Sequence, residues 1–157
     1  MKKVFNIECK NLIDEKVELY GFISQIRDHG KLIFFDLKDK TGIVQTVISR
    51  DNKFFSLSKE IKPYYVVKII GYVQERPPHL ENPKLETGKV EVLIDEIYIL
   101  SQAKTLPFDV ETDGYEIDEA LRMKYRYLDL RRPRLLKNLK KRHEFLLFIR
   151  NFLDGKG

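Results

Sequence analysis

Cysteine occurs once in these 157 residues. Cys9 therefore has no partner for an internal disulfide and cannot build a zinc site, and the expected compartment is the reducing cytoplasm. As a lone thiol it reads as a small buried residue rather than a reactive one. No apolar run approaches the ~18 residues needed to span a bilayer, so no membrane role is expected. The opening stretch MKKVFNIECKNL has two lysines but lacks the apolar centre of a signal peptide. Glycine (8) and proline (6) are sparse and no low-complexity tract occurs, so little disorder is expected. Catalytic motifs are missing too. There is no phosphate-binding GxxxxGK, no HExxH, no GxSxG and no Cys/His cluster. His29, His79 and His143 fall in a turn, a Pro-rich loop and a basic helix, none beside a nucleophile at a recognised spacing. The residues thus point to no catalytic group and no metal ligand.

What is present is enough for one core: 43% of the chain is hydrophobic and 34% charged. The formal charge of +5 is unevenly placed. Residues 121–157 carry 12 Lys/Arg against three acids, a net of +9, which leaves the first 120 at −4. Any polyanion contact by the first part must be local.

The first hundred residues read as β-structure. Val17, Leu19, Gly21 and Ile23 alternate with Glu18, Tyr20, Phe22 and Ser24, the period-two pattern of a half-buried strand. Arg27-Asp28-His29-Gly30 supplies turn chemistry, Leu32–Leu37 a second strand, Asp39–Gly42 a turn and Ile43–Ile48 a third strand. The stretch 51–61 breaks the alternation and predicts one or two helical turns ended by Pro63. Tyr65–Gln74 is a fourth strand with a bend or bulge at Gly71, Arg76–Gly88 a loop with three prolines, and Val90–Leu100 a fifth strand. Five strands with a short helix between the third and fourth is the order of an OB-type Greek-key barrel, so the class is mainly β. A mostly helical extension follows: a linker, a short helix over Ile117–Met123, then Pro133 as first residue of a helix running to Leu153. Leu135, Leu136, Leu139, Phe145, Leu146, Phe148, Ile149, Phe152 and Leu153, at largely helical spacing, have nothing after them to cover them, which reads as a truncated domain or a dimer face. The expected division is 1–102, 103–133 and 134–157.

On the second strand Ile33, Phe35 and Leu37 belong inside the barrel, which puts Phe34 outside at mid-strand. An exposed aromatic there is where single-stranded bases stack. With Asp39-Lys40 at the hairpin tip, Gln45 comes opposite Phe34, and its amide offers both a donor and acceptors for a base edge. The residues leave open the plainer alternative, with Phe34 under a loop and Gln45 solvated. On residue types alone, Arg27-Asp28-His29 is a solvated turn and Lys140-Lys141-Arg142-His143 a solvated helix face.

Two stretches carry a resemblance. Residues 21–39 (GFISQIRDHGKLIFFDLKD) with Gly42-Ile43-Val44-Gln45 resemble the N-terminal anticodon-binding domain of bacterial-type aspartyl-tRNA synthetases. Leu121 to Pro133 (LRMKYRYLDLRRP) is similar to the hinge before the catalytic domain in class II synthetases of the aspartate, asparagine and lysine group. The resemblance implies that Phe34 stacks on an anticodon base and Gln45 hydrogen-bonds one. Arg27, Arg76 and Glu91 become further anticodon-loop contacts, with Asp28-His29 lining the same loop. The family usually has three arginines before the Asp of this turn. Here the first two positions are Gln25 and Ile26, which removes phosphate-binding charge and bears on affinity more than on anticodon identity.

The resemblance further implies a parent enzyme that charges tRNA with aspartate using ATP and Mg²⁺, as a homodimer. Its class II motifs fall beyond residue 157, so this chain alone is expected to be inactive and to bind no cofactor. The expected partner is tRNA for aspartate, with His29 at a position that bears on acceptance of tRNA for asparagine. The alternative from another class is a free-standing module that binds tRNA or single-stranded nucleic acid. A third is a lysine or asparagine relative.

Overall fold

The computed structural model describes residues 2–157. They divide into two compact units, residues 1–104 and 105–157.

In the first unit a two-residue strand β1 (Lys2–Lys3) precedes five long ones: β2 (Lys16–Asp28), β3 (Leu32–Lys38), β4 (Ile43–Ser49), β5 (Val66–Glu75) and β6 (Val90–Ser101). The sheet order is β1-β2-β3-β4-β6-β5, and β2 also pairs with β5, which closes the last five strands into a barrel. Closure removes the free edges that an open sheet would expose. Of the one or two helical turns expected, one forms, α1 (Phe55–Ser58), between the third and fourth barrel strands. Twenty apolar residues form the core, among them Leu19, Ile23, Phe35, Leu37 and Ile69, all fully buried. Cys9 is buried with them, and burial, aided by the Asp39 charge, pushes its thiol up to about 12.

Three features depart from the sequence reading. A 3₁₀ helix, Asn6–Asn11, packs beside the barrel. The buried Asn6 amide donates to the Leu37 and Gly42 carbonyls, and its backbone N–H donates to Asp39. Second, Arg27 and Asp28 are not in the turn: β2 runs through Asp28. The turn proper is His29–Lys31, where Gly30 takes φ +77°, a left-handed conformation that favours glycine, and donates its N–H to the Asp28 carboxylate at 2.7 Å. Third, Gln45 does not lie opposite Phe34. The β3–β4 register pairs Phe34 with Val47 and Asp36 with Gln45. The hairpin has a four-residue loop, because Asp39 accepts from Thr41 N, Thr41 Oγ1 and Gly42 N and holds that loop open. The expected irregularity at Gly71 is a register shift between Ile70 and Gly71.

The second unit contains α2 (Glu119–Lys124), α3 (Arg126–Asp129) and α4 (Pro133–Asp154), with Pro133 in the first turn of α4. The only buried apolar side chains in it, among the described residues, are Val110 and Leu128. Its centre is ionic. The fully buried Asp129 accepts from Arg122 (3.1 and 3.3 Å), Arg126 (2.5 Å) and Arg132 (2.8 Å). Arg132, also fully buried, donates to Thr112 at 2.9 Å and lies over the Phe108 ring. Gly114, at φ +81°, passes so close that a Cβ there would sit 2.5 Å from Arg132 Nε. Burial pushes the Asp129 carboxyl up, but its arginine partners outweigh that and hold it below its usual value. No helix of the described residues is long and apolar enough to cross a membrane.

Candidate nucleic-acid interface

The outward face of the barrel is set by one extra residue. Along β2 the odd positions Val17, Leu19 and Ile23 point inward. Continued strictly, that alternation would bury Arg27. The β2–β3 register instead shifts between Ile23 and Gln25. This bulge at Ser24, whose hydroxyl donates to the Asp36 carbonyl at 2.9 Å, turns Gln25 and Arg27 outward. Arg27 then pairs with Phe34 and Gln25 with Asp36.

With β4 and β6 parallel (Gln45 beside Glu91, Val47 beside Leu93) and β5 next to β6 (Gln74 beside Glu91, Tyr72 beside Leu93), two rows cross the sheet. One is polar: Gln25, Asp36, Gln45, Glu91, Gln74. Its neighbour is Arg27, Phe34, Val47, Leu93, Tyr72, an aromatic and aliphatic row with one cation. The sheet thus sets a stacking row beside a hydrogen-bonding row, two residues apart along each strand.

The polar row is pre-ordered. Arg27 is held by Asp36 through two bonds (2.7 and 3.2 Å) and donates to Gln45 Oε1 at 2.9 Å. Gln45 Nε2 donates to Glu91 Oε2 at 2.7 Å, and Gln74 Nε2 to Glu91 Oε1 at 2.8 Å. Each amide is therefore fixed in one orientation, while each keeps a second N–H and an oxygen lone pair for a ligand. Arg76 closes the row from the strand end. Its side chain is 4% exposed, with Nε 3.8 Å from Glu91 Oε2. Burial lowers its guanidinium from the ordinary value, opposed by the charges of Glu91 and Asp36. Its Nε and Nη2 have no hydrogen-bond partner. Two buried N–H groups without acceptors are costly to leave unmade and become donors for whatever enters.

These side chains surround one cleft of about 600 Å³. Of the residues singled out by sequence, Arg27, His29, Phe34, Gln45, Arg76 and Glu91 line it. His29 meets Phe34 edge-on, ring centroids 5.6 Å apart. Phe34 is half-buried, its ring held at the cleft wall. Asp28 is not part of the lining; its carboxylate is spent on the turn at Gly30. Sequence reasoning passed over Gln74, Leu93 and Val47, which also line the cleft, and Asp36, which orients Arg27. No motif marks them; they come into place only through the register. The cleft holds no nucleophile beside a base, and among the described residues no group of three or more His, Cys, Asp or Glu side chains could hold a metal ion. Its chemistry is recognition: a ring to stack on, two oriented amides, a carboxylate and buried guanidinium donors.

Comparison with known proteins bears on what is recognised. Residues 17–100, the barrel strands and everything between them, match the family described as OB-fold nucleic acid binding domain. The chain belongs to that family. Residues 118–157 match a second, described as tRNA synthetases class II (D, K and N). An aspartate--tRNA(Asp/Asn) ligase of Syntrophomonas wolfei is 48% identical over 149 residues, 94% of this chain and 25% of that protein. An aspartate--tRNA ligase of Staphylococcus carnosus is 41% identical over 150 residues, 94% of this chain and 26% of that one. The chain thus spans about a quarter of the length of the curated relatives it matches. In fold it is similar to asparaginyl-tRNA synthetase from Pyrococcus horikoshii, solved with asparaginyl-adenylate. The TM-score is 0.80 at 24% identity, over 99% of this chain and 35% of that one.

Proposed function

We propose that this OB-fold domain is the anticodon-binding N-terminal region of an aspartate–tRNA ligase, and that the cleft on β3, β4 and β6 receives unstacked anticodon bases. The observation that carries the reading is the pair of rows: Phe34 with Val47 and Leu93 for stacking, beside Gln45, Glu91 and Gln74 for base edges, with Arg27 and Arg76 at the margins. Stacking and edge hydrogen bonds are how single-stranded RNA is read. In this reading residues 1–102 bind the anticodon, 103–133 form the hinge, and 134–157 open the catalytic domain. The parent would join aspartate to tRNA in the cytoplasm as a homodimer, with the apolar side of α4 in its interface. ATP and Mg²⁺ would be held by the parent outside these residues.

The relatives' names divide between ligases for tRNA(Asp/Asn) and for tRNA alone. His29, packed edge-on against Phe34, is where this chain would adjust its choice between aspartate and asparagine tRNA. The test is the affinity of the chain for tRNA bearing the aspartate anticodon and for tRNAs of unrelated anticodon. Tighter binding of the first is expected; equal affinities would overturn the reading.

A further inference from the structure

The cleft lacks an electrostatic surplus. Arg27 is spent on Asp36, and Arg76 faces Glu91. The first 120 residues are net negative, yet phosphate contacts supply much of the affinity for any nucleic acid. A cluster of cations lies on α4. From Pro133 to His143 that helix carries Arg134, Lys137, Lys140, Lys141 and Arg142 and no carboxylate. At 3.6 residues per turn, Arg134, Lys137, Lys140 and Lys141 fall within an arc of about 120° that also holds Glu144, spread over ~10 Å of axis, with Leu135 and Leu139 on the opposite side.

Two further facts bear on this stripe. Lys137, Lys140 and Lys141 are exposed, and none makes an ion pair with a described residue. Like charges three and four apart repel along a helix; the one carboxylate in reach, Glu144, follows Lys141 by three residues and Lys140 by four, which leaves the four cations a net of +3. At the head of the stripe, Arg134 is already anchored: its guanidinium stacks 4.6 Å from the Tyr115 ring centre and donates to the Asp113 carbonyl, while its buried Nε has no partner.

We propose that the α4 stripe Arg134, Lys137, Lys140 and Lys141 binds the sugar-phosphate backbone of the RNA whose bases enter the cleft. The proposal rests on the RNA reading of the cleft. It divides the work by chemistry, sequence-independent affinity from the stripe and base discrimination from the barrel.

The test uses the full 157-residue chain and a variant carrying Lys137→Gln, Lys140→Gln and Lys141→Gln together. Glutamine keeps the helix-forming tendency, and circular dichroism checks that the helix remains. Affinity is measured over a range of salt for a tRNA transcript bearing the aspartate anticodon and for the same transcript with one anticodon base replaced. At ~0.7–0.9 of a log unit per neutralised phosphate, the log–log salt slope is expected to flatten by roughly two to three units. The affinity ratio of the two transcripts is expected to stay the same. An unchanged slope overturns the proposal, as does lysine-dependent capture by phosphatidylserine-rich vesicles with an unchanged RNA slope, which would assign the stripe to a membrane surface. If the lysines set the slope but the unsubstituted chain does not distinguish the transcripts, the cleft reading fails and the stripe stands.

Discussion

In the barrel, twenty apolar side chains are buried against one another. From Thr105 onward the buried side chains are two aliphatic ones, Val110 and Leu128, together with Asp129 and Arg132. The difference is one of kind. Apolar burial is non-directional and tolerates repacking at modest cost. A buried carboxylate bound by three arginines is worth little until every partner is in place, and removing one partner leaves an uncompensated charge. The barrel is thus a rigid base for a cleft whose side chains must be pre-aimed. The second unit has a fold that depends on a few directed bonds, centred on Asp129.

The largest expected effect breaks that contrast at its ionic end. Asp129→Asn strands the buried Arg132 and should cost about 3–5 kcal/mol in the second unit. Hydrogen exchange should then show residues 105–157 losing protection while the barrel strands keep theirs. Acid should do the same by degrees. The Asp129 carboxyl is held below its ordinary 3.8, so its contribution is complete above that value and is lost as pH falls through the lower folded value. Protection in 105–157 should therefore fall with pH below about 4.

Leu37→Ala, at a fully buried barrel position, should cost about 2–5 kcal/mol, read as a lowered melting temperature of the barrel. Exchange in the Asp129 cluster should not change. A smaller substitution separates function from packing. Phe34→Ala should weaken RNA binding by ~1–3 kcal/mol, measured by titration, with little change in barrel melting because the ring is only half-buried. Smallest is His29→Leu, which should shift the ratio of affinities for aspartate and asparagine tRNA. An unchanged ratio would remove His29 from that choice.

Much of the barrel was legible because strand alternation is a local signal: Val17, Leu19, Ile23, Ile33, Phe35 and Leu37 are inside as the period-two pattern requires. What was not legible follows from longer-range causes. The bulge at Ser24 reverses the alternation, and no residue type there announces it. The hairpin register depends on one carboxylate, Asp39, satisfying three donors of its own loop. The 3₁₀ helix at Asn6 is stabilised by partners more than thirty residues away. The cleft follows the same logic. Phe34 could be placed outside from its strand alone, while Gln74 and Asp36 joined the polar row only when the pairing of all five barrel strands was known. The LDLRRP segment could be matched to a hinge by resemblance, but nothing in it announced that Asp129 and Arg132 are among the most buried side chains of the second unit, where ion pairing rather than apolar burial closes the fold.

The central claim is that RNA bases are read on the two rows of the β3–β4–β6 face. Chemical-shift mapping with an anticodon stem-loop tests it most directly. The account predicts that the largest changes fall on Phe34, Gln45, Val47, Glu91 and Leu93. Changes confined instead to the part of the barrel where Lys68 lies over the Tyr20 and Tyr98 rings, with those five residues unmoved, would contradict it.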